Sequence, residues 1–161
     1  MSVYEGEDVR GPMSVLKNFS RYMITKKEFR SLFYYRCSCA RVFSLLAPPS
    51  QDLYIDTRRI GPGLFLQHCF STIIVADSIG ENCWINQQVT IGYSKDERAP
   101  IIGDNVNINA GAKVIGSIRI GNNVKIGANA VVVKDVPDNC TVVGVPAYIV
   151  RRDGKSVREN L

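Results

Sequence analysis

The 161-residue sequence predicts a mainly β fold, a parallel β-helix wound from six-residue units behind a short helical segment. Three observations carry this expectation. Between residues 102 and 137 an aliphatic recurs at every sixth position, namely Ile102, Ile108, Val114, Ile120, Ile126 and Val132. A second, smaller apolar set keeps the same clock at Val106, Ala112, Ile118, Val124, Ala130 and Val136. The residues between them are mostly polar or glycine, with Gly103, Gly121 and Gly127 directly after an aliphatic.

A helix cannot use this period, because six residues rotate it by about one and two-thirds turns and scatter the aliphatics around the cylinder. One long strand fails as well, since recurrent glycines weaken a strand interior. Short strands separated by turns, stacked so that like positions coincide, satisfy the pattern. A single unit buries nothing alone, whereas a stack buries one continuous column. Upstream, Ile60, Leu66, Ile79, Ile85 and Ile91 open further units, with Leu64, Phe70, Cys83 and Val89 as their inward fifth positions. Thr72 is a weak opener and Ile79 follows it after seven residues, so that part of the column is irregular.

In chain order, polar residues 1–11 are expected to fray. Residues 12–24 predict a helix, with Val15, Leu16, Phe19 and Met23 at helical spacing and Pro12 in the first turn. Thr25 to Glu28 has the form of a capping box for a second helix. That helix would carry Phe29, Leu32, Phe33, Ala40, Phe43 and Leu46 on one side and stop at Pro48-Pro49. Residues 51–59 lead into the first coil. Ile91 and Ile102 are eleven apart, so the polar run 93–100 must leave the column as a loop, a common place for function on a regular scaffold. After Pro137 the clock stops; 138–140 turn, 141–143 form a last strand, and the basic tail beyond Arg151 is expected to fray. The expected organisation is therefore a helical segment 1–50, a β-helix 51–137 and a C-terminal cap and tail 138–161.

Composition sets wide bounds. Hydrophobic content of 45% and charged content of 22% are ordinary for a globular domain. The net charge of +5 suits a polyanionic small molecule or an acidic saccharide, and no basic stripe with interleaved aromatics points to nucleic acid. Five cysteines (37, 39, 69, 83 and 140) form no disulfide or zinc framework, Cys37 and Cys39 being expected to pack on a helix. A reducing, cytoplasmic setting follows. Residues 1–12 carry Glu5, Glu7 and Asp8 without an apolar run, so no leader is expected. The apolar stretch 31–49 is broken by Arg36 and Arg41, so no membrane span is expected either.

The units, of the form aliphatic, Gly/Ala/Asp/Asn, two free residues, small apolar, free residue, resemble the hexapeptide repeat of left-handed β-helix acyltransferases. The resemblance extends over residues 50–152. It is carried by Leu66-Gln67-His68, Val89 to Gly92, Arg98-Ala99-Pro100, Ile108 to Gly116 and Gly144 to Ala147. It is closest to serine acetyltransferases and to the short O-acetyltransferases of capsule and exopolysaccharide synthesis. The resemblance implies triangular coils of three units, roughly four from Ile60 to Pro137, a homotrimer, and acetyl-CoA as acetyl donor with no metal. It implies His68, the single histidine of the chain, as the general base that takes the acceptor's proton. It also implies a coenzyme A groove lined by Gly92, Tyr93, Ala110, Gly111, Lys125, Ala128 and Lys134. The carboxylate that orients the base would fall at Leu53, flanked by Asp52 and Asp56, of which Asp52 is preferred.

Gln67 and Arg98 are the candidate acceptor contacts. Serine acetyltransferases have an aspartate where this chain has Gln67, a histidine where it has Ala99, and a longer helical N-terminal domain. These departures favour transfer to a hydroxyl of a sugar or polysaccharide precursor. The alternatives are a serine O-acetyltransferase of cysteine biosynthesis and a catalytically silent trimeric scaffold. A γ-class carbonic anhydrase is excluded, since it needs three histidines for its metal. A Cys69 nucleophile is disfavoured, since neighbours on one strand face opposite sides.

Overall fold

The computed structural model describes residues 11–95 and 98–161, and the chain divides into two compact units, 1–50 and 51–161. In the first unit, α1 (Pro12–Thr25) starts at Gly11, whose N–H donates to Ser14 Oγ at 3.3 Å while that hydroxyl donates to the Gly11 carbonyl at 2.7 Å. The expected capping box at Thr25 does not form. Thr25 is still inside α1 and its hydroxyl donates back to the Arg21 carbonyl at 2.8 Å, so Lys26 starts α2 (Lys27–Arg36) without a side-chain cap.

The second helix is also shorter than expected. It ends at Cys37, and Ser38–Leu45 continue as a 3-10 helix. Changing from 3.6 to 3 residues per turn rotates the apolar stripe out of line. Phe43 and Leu46, expected on the buried side, are therefore exposed, as is Cys39, while Cys37 is half-buried. Phe19 of α1 packs edge-on against Phe29 and Phe33 of α2, with ring centroids 5.8 and 5.1 Å away. Arg30 is buried, and a buried charge needs partners. It donates to the carbonyls of Met23, Ile24 and Pro48 at 2.7, 2.9 and 2.7 Å, tying the end of α1 to the chain beyond the 3-10 helix.

The second unit is a hexapeptide-repeat β-solenoid of about five turns, consistent with a left-handed β-helix. Its parallel registers define three columns, one per face. The first runs Ile55, Ile74, Ile91, Val114, Val132. The second runs Ile60, Ile79, Ile102, Ile120, Val136. The third runs Leu66, Ile85, Ile108, Ile126, Val142. Every aliphatic of the six-residue clock from Ile102 to Val132 is buried, and so are the fifth positions from Val106 to Val136.

Three details differ from the sequence expectation. Residues 51–59 are not a lead-in: Leu53–Ile60 pairs in parallel with Thr72–Ile79 and builds a coil of its own, which adds one turn. The irregular coil is opened by Ile74 rather than Thr72, eight residues after Leu66 and five before Ile79, and Phe70 turns outward. The C-terminal tail does not fray. Tyr148–Arg152 and Lys155–Asn160 add to Cys140–Val143 as antiparallel strands, and Arg152 pairs with Glu159 at 2.6 Å.

The edge between the second and third faces shows why glycine and asparagine recur. Gly61, Gly80, Gly103 and Gly121 lie where a Cβ would meet the backbone of the coil above at 2.6–2.9 Å. One turn further, Asn82, Asn105, Asn123 and Asn139 all hold φ of 54–57°, a left-handed conformation that asparagine tolerates. The Asn105 amide donates to Asn123 at 3.2 Å and that of Asn123 to Asn139 at 2.9 Å, an exposed ladder that links the turns.

Cys69, Cys83 and Cys140 are buried, and burial is the largest cause holding the Cys83 and Cys140 thiols above the usual range. At neutral pH a thiol reagent should therefore modify exposed Cys39 first. The three core thiols should react only on unfolding, which mass spectrometry of partially labelled protein would read directly.

Candidate active site

The edge between the third and first faces carries His68. In later coils this corner is a regular turn with one left-handed residue, at Gln88, Gly111 and Asn129 in turn. In the first coil the two additional residues swell it, and three residues have positive φ: His68 at 61°, Cys69 at 37° and Ser71 at 51°. The Cys69 N–H donates to the Gln67 carbonyl at 2.7 Å, closing a three-residue turn centred on His68. A γ-turn with positive φ at its centre is rare and strained. Strain of this kind is concentrated at functional sites. The turn turns Cys69 inward, with its Sγ 3.5 Å from the Ile85 carbonyl, and leaves the His68 imidazole exposed.

The same edge continues upward through the polar corner at 86–88 to small residues in the two coils beyond it. Gly111 N–H donates to the Gln87 carbonyl at 3.0 Å and Asn129 N–H to the Ala110 carbonyl at 2.9 Å, which stacks Gln87, Ala110 and Ala128 above the His68 corner. Of the expected groove residues, Ala110, Gly111 and Ala128 thus share an edge with the histidine. Gly92, Tyr93 and Lys134 lie on a different edge, between the first and second faces, where the loop 93–100 also departs and Arg98 is exposed. Asp96 and Glu97 of that loop lie outside the described residues. Lys125 projects from the third face, in register with Asn107 and Thr141.

The Asp52 carboxylate is not joined to the imidazole. Asp52 meets the His68 turn through its backbone, its carbonyl accepting from Thr72 N–H at 3.0 Å. Among the described residues neither Asp52 nor Asp56 hydrogen-bonds or pairs with His68. The partner of the ring is Gln67, whose Nε2 lies 3.4 Å from His68 Nε2. The Oε1 of Gln67 accepts from the Trp84 indole N–H at 2.9 Å, and Trp84 is braced edge-on by Phe65 at 4.8 Å. Trp84 is missing from the sequence-based site. Its signal was the coil repeat: it pairs with Phe65, just before the opener of the next coil on the same face.

Among the described residues no group of three His, Cys, Asp or Glu side chains could hold a metal ion. No helix there is long and apolar enough to cross a membrane.

The chain is similar to known proteins over part of its length. Residues 99–134 match the family of the bacterial transferase hexapeptide (six repeats). Over 103 residues the chain is 50% identical to a serine acetyltransferase of Staphylococcus aureus, covering 62% of this chain and 48% of that protein. Over the same length it is 45% identical to the serine acetyltransferase of Synechococcus elongatus, covering 62% and 42%. The chain thus spans less than half the length of these curated relatives. Among solved structures, the serine acetyltransferase of Neisseria gonorrhoeae in complex with serine aligns at 47% identity and a TM-score of 0.53, over 58% of this chain and 41% of that one. That of Brucella abortus aligns at 32% identity and a TM-score of 0.61, over 81% and 59%.

Proposed function

We propose that the chain is an acetyl-CoA-dependent O-acetyltransferase in which His68 is the general base and serine the acceptor. The observation that carries the reading is the single histidine, exposed on a strained turn on the edge that also carries Ala110, Gly111 and Ala128. The His68 imidazole takes the proton of the acceptor hydroxyl as its oxygen attacks the thioester carbonyl. The carbon–sulfur bond breaks, the proton passes from the imidazole to the departing thiolate, and the products are the acetyl ester and coenzyme A. No acyl-enzyme is needed.

A saccharide acceptor, expected from Gln67 and Ala99, finds no support among the relatives named above, all of them serine acetyltransferases. Serine is therefore the acceptor proposed. The expected donor contacts fall on two edges of one solenoid, Ala110 and Ala128 on one and Gly92 and Tyr93 on another. A single chain does not bring them together, so a trimer in which neighbouring copies contribute one edge each is part of the proposal.

Gly92 supports the donor site. It has no left-handed φ, and an added Cβ would meet nothing within 4 Å, so the fold itself does not demand glycine there. Gly92→Leu should leave the unfolding midpoint unchanged and raise the KM for acetyl-CoA about tenfold, ~1.4 kcal/mol of lost binding. The reading as a whole is tested by thiol release from acetyl-CoA with serine against nucleotide sugars and oligosaccharides. Release with serine alone is expected. Release with a saccharide alone would overturn the acceptor, and silence with both alongside coenzyme A binding would favour the scaffold.

A further inference from the structure

We infer that Gln67, held by Trp84, is a positioning residue that keeps neutral His68 in the Nδ1–H tautomer, with the Nε2 lone pair directed toward the third face. The inference rests on the general-base reading for its catalytic meaning but not for its geometry.

The chemistry of the donors leaves one consistent arrangement. An indole N–H only donates, so the Trp84 contact at 2.9 Å fixes which end of the Gln67 amide is oxygen. The other end is then the NH2 group, again only a donor, and it faces His68 Nε2 at 3.4 Å. A ring nitrogen facing a donor must present its lone pair, so the proton of the neutral imidazole belongs on Nδ1. Trp84 cannot readily yield. It is half-buried, its backbone N–H donates to the Val106 carbonyl at 2.9 Å, and Phe65 meets it edge-on in the paired strand.

Two consequences follow for the reaction. The lone pair that accepts the hydroxyl proton is that of Nε2, so the acceptor must approach from the side of Gln67 and Trp84. The contact at 3.4 Å is long for a hydrogen bond and therefore weak. An incoming hydroxyl can take over the lone pair and leave the Gln67 amide free to donate to the acceptor. A carboxylate in the same place would do the opposite, accepting from an Nε2–H and turning the lone pair of Nδ1 outward.

One histidine in the chain makes the test clean. Long-range proton–nitrogen spectra of 15N-labelled protein, taken where the ring is neutral, distinguish the protonated from the unprotonated ring nitrogen. The wild type should show a protonated Nδ1 and a bare Nε2. Gln67→Met, which keeps the length and removes the amide, should move the ring to a mixture dominated by Nε2–H. Trp84→Phe should move it part of the way, and Gln67→Glu should invert it. A wild-type ring protonated on Nε2 overturns the inference even if no variant folds. So does a ring unchanged in both Gln67→Met and Trp84→Phe. These spectra need no turnover: an inactive protein with the expected tautomer would sink the general-base reading and leave the positioning intact.

Discussion

Replacing His68 with alanine should lower turnover by about 10²–10⁴, the usual contribution of a general base, with coenzyme A binding nearly intact. The imidazole is exposed and no core contact depends on it. The backbone there is strained already: φ is 61°, and histidine carries the same Cβ that alanine would. Removing the exposed ring should therefore leave stability close to that of the wild type. His68→Asn is the companion variant, since asparagine tolerates positive φ and carries no base. Both variants should lose activity to the same extent, with unfolding midpoints that stay near the wild type. Steady-state thiol release and thermal unfolding of the pair would decide it. If the asparagine variant kept turnover near the wild type, His68 would not be the base.

The column was legible in the sequence because its physics is periodic. A residue such as Ile120 or Val124 is buried for no reason except its place in a repeat, and the repeat is visible as letters. The same holds for His68, which falls between inward positions and so had to face outward. What the clock could not supply was the length of each corner. The first coil has eight residues from Leu66 to Ile74 and the second has five from Ile74 to Ile79, and both counts depend on how a corner bulges. The misplacement of Thr72 has this cause, and so does the missed first coil at Leu53–Ile60.

The site was legible only in part for a related reason. Asp52 was favoured from its distance along the chain, but its carboxylate makes no bond to the ring. The contact that does form, from Trp84 through Gln67, joins residues seventeen positions apart that meet only because one coil lies above another. In the N-terminal segment nothing repeats, so local competition decided each element. The Thr25 hydroxyl closed on Arg21 inside α1 and was lost to the following cap.

Ile108→Ala should be among the most damaging single changes in the solenoid, costing about 2–5 kcal/mol, the range for truncating a buried isoleucine. Ile108 lies in the middle coil of the third column, buried between Ile85 and Ile126. The void it leaves cannot readily close. Its strand is pinned to both neighbours, its carbonyl accepting from Asn86 N–H at 3.0 Å while the adjoining Asn109 N–H donates to the Ile126 carbonyl at 3.0 Å. Collapse would require the coils above and below to change their spacing. In urea, with an m-value of about 2 kcal/mol/M, the midpoint should fall by roughly 1–2.5 M. Ile101→Ala is the matched control: its side chain is exposed, and the change should stay within about 0.5 kcal/mol. Gly103→Ala approaches the same stack from the opposite direction. Its Cβ would come within 2.9 Å of the Gly121 backbone and 2.5 Å of Asn122 Oδ1, an oxygen that already accepts from Asp104 N–H. Overpacking of this sort costs about 1–3 kcal/mol. A midpoint that falls for both the void and the wedge, and holds for Ile101→Ala, means that coil spacing limits stability. Equal losses for all three would mean that side-chain area alone sets it and that the stack is softer than its ladders imply.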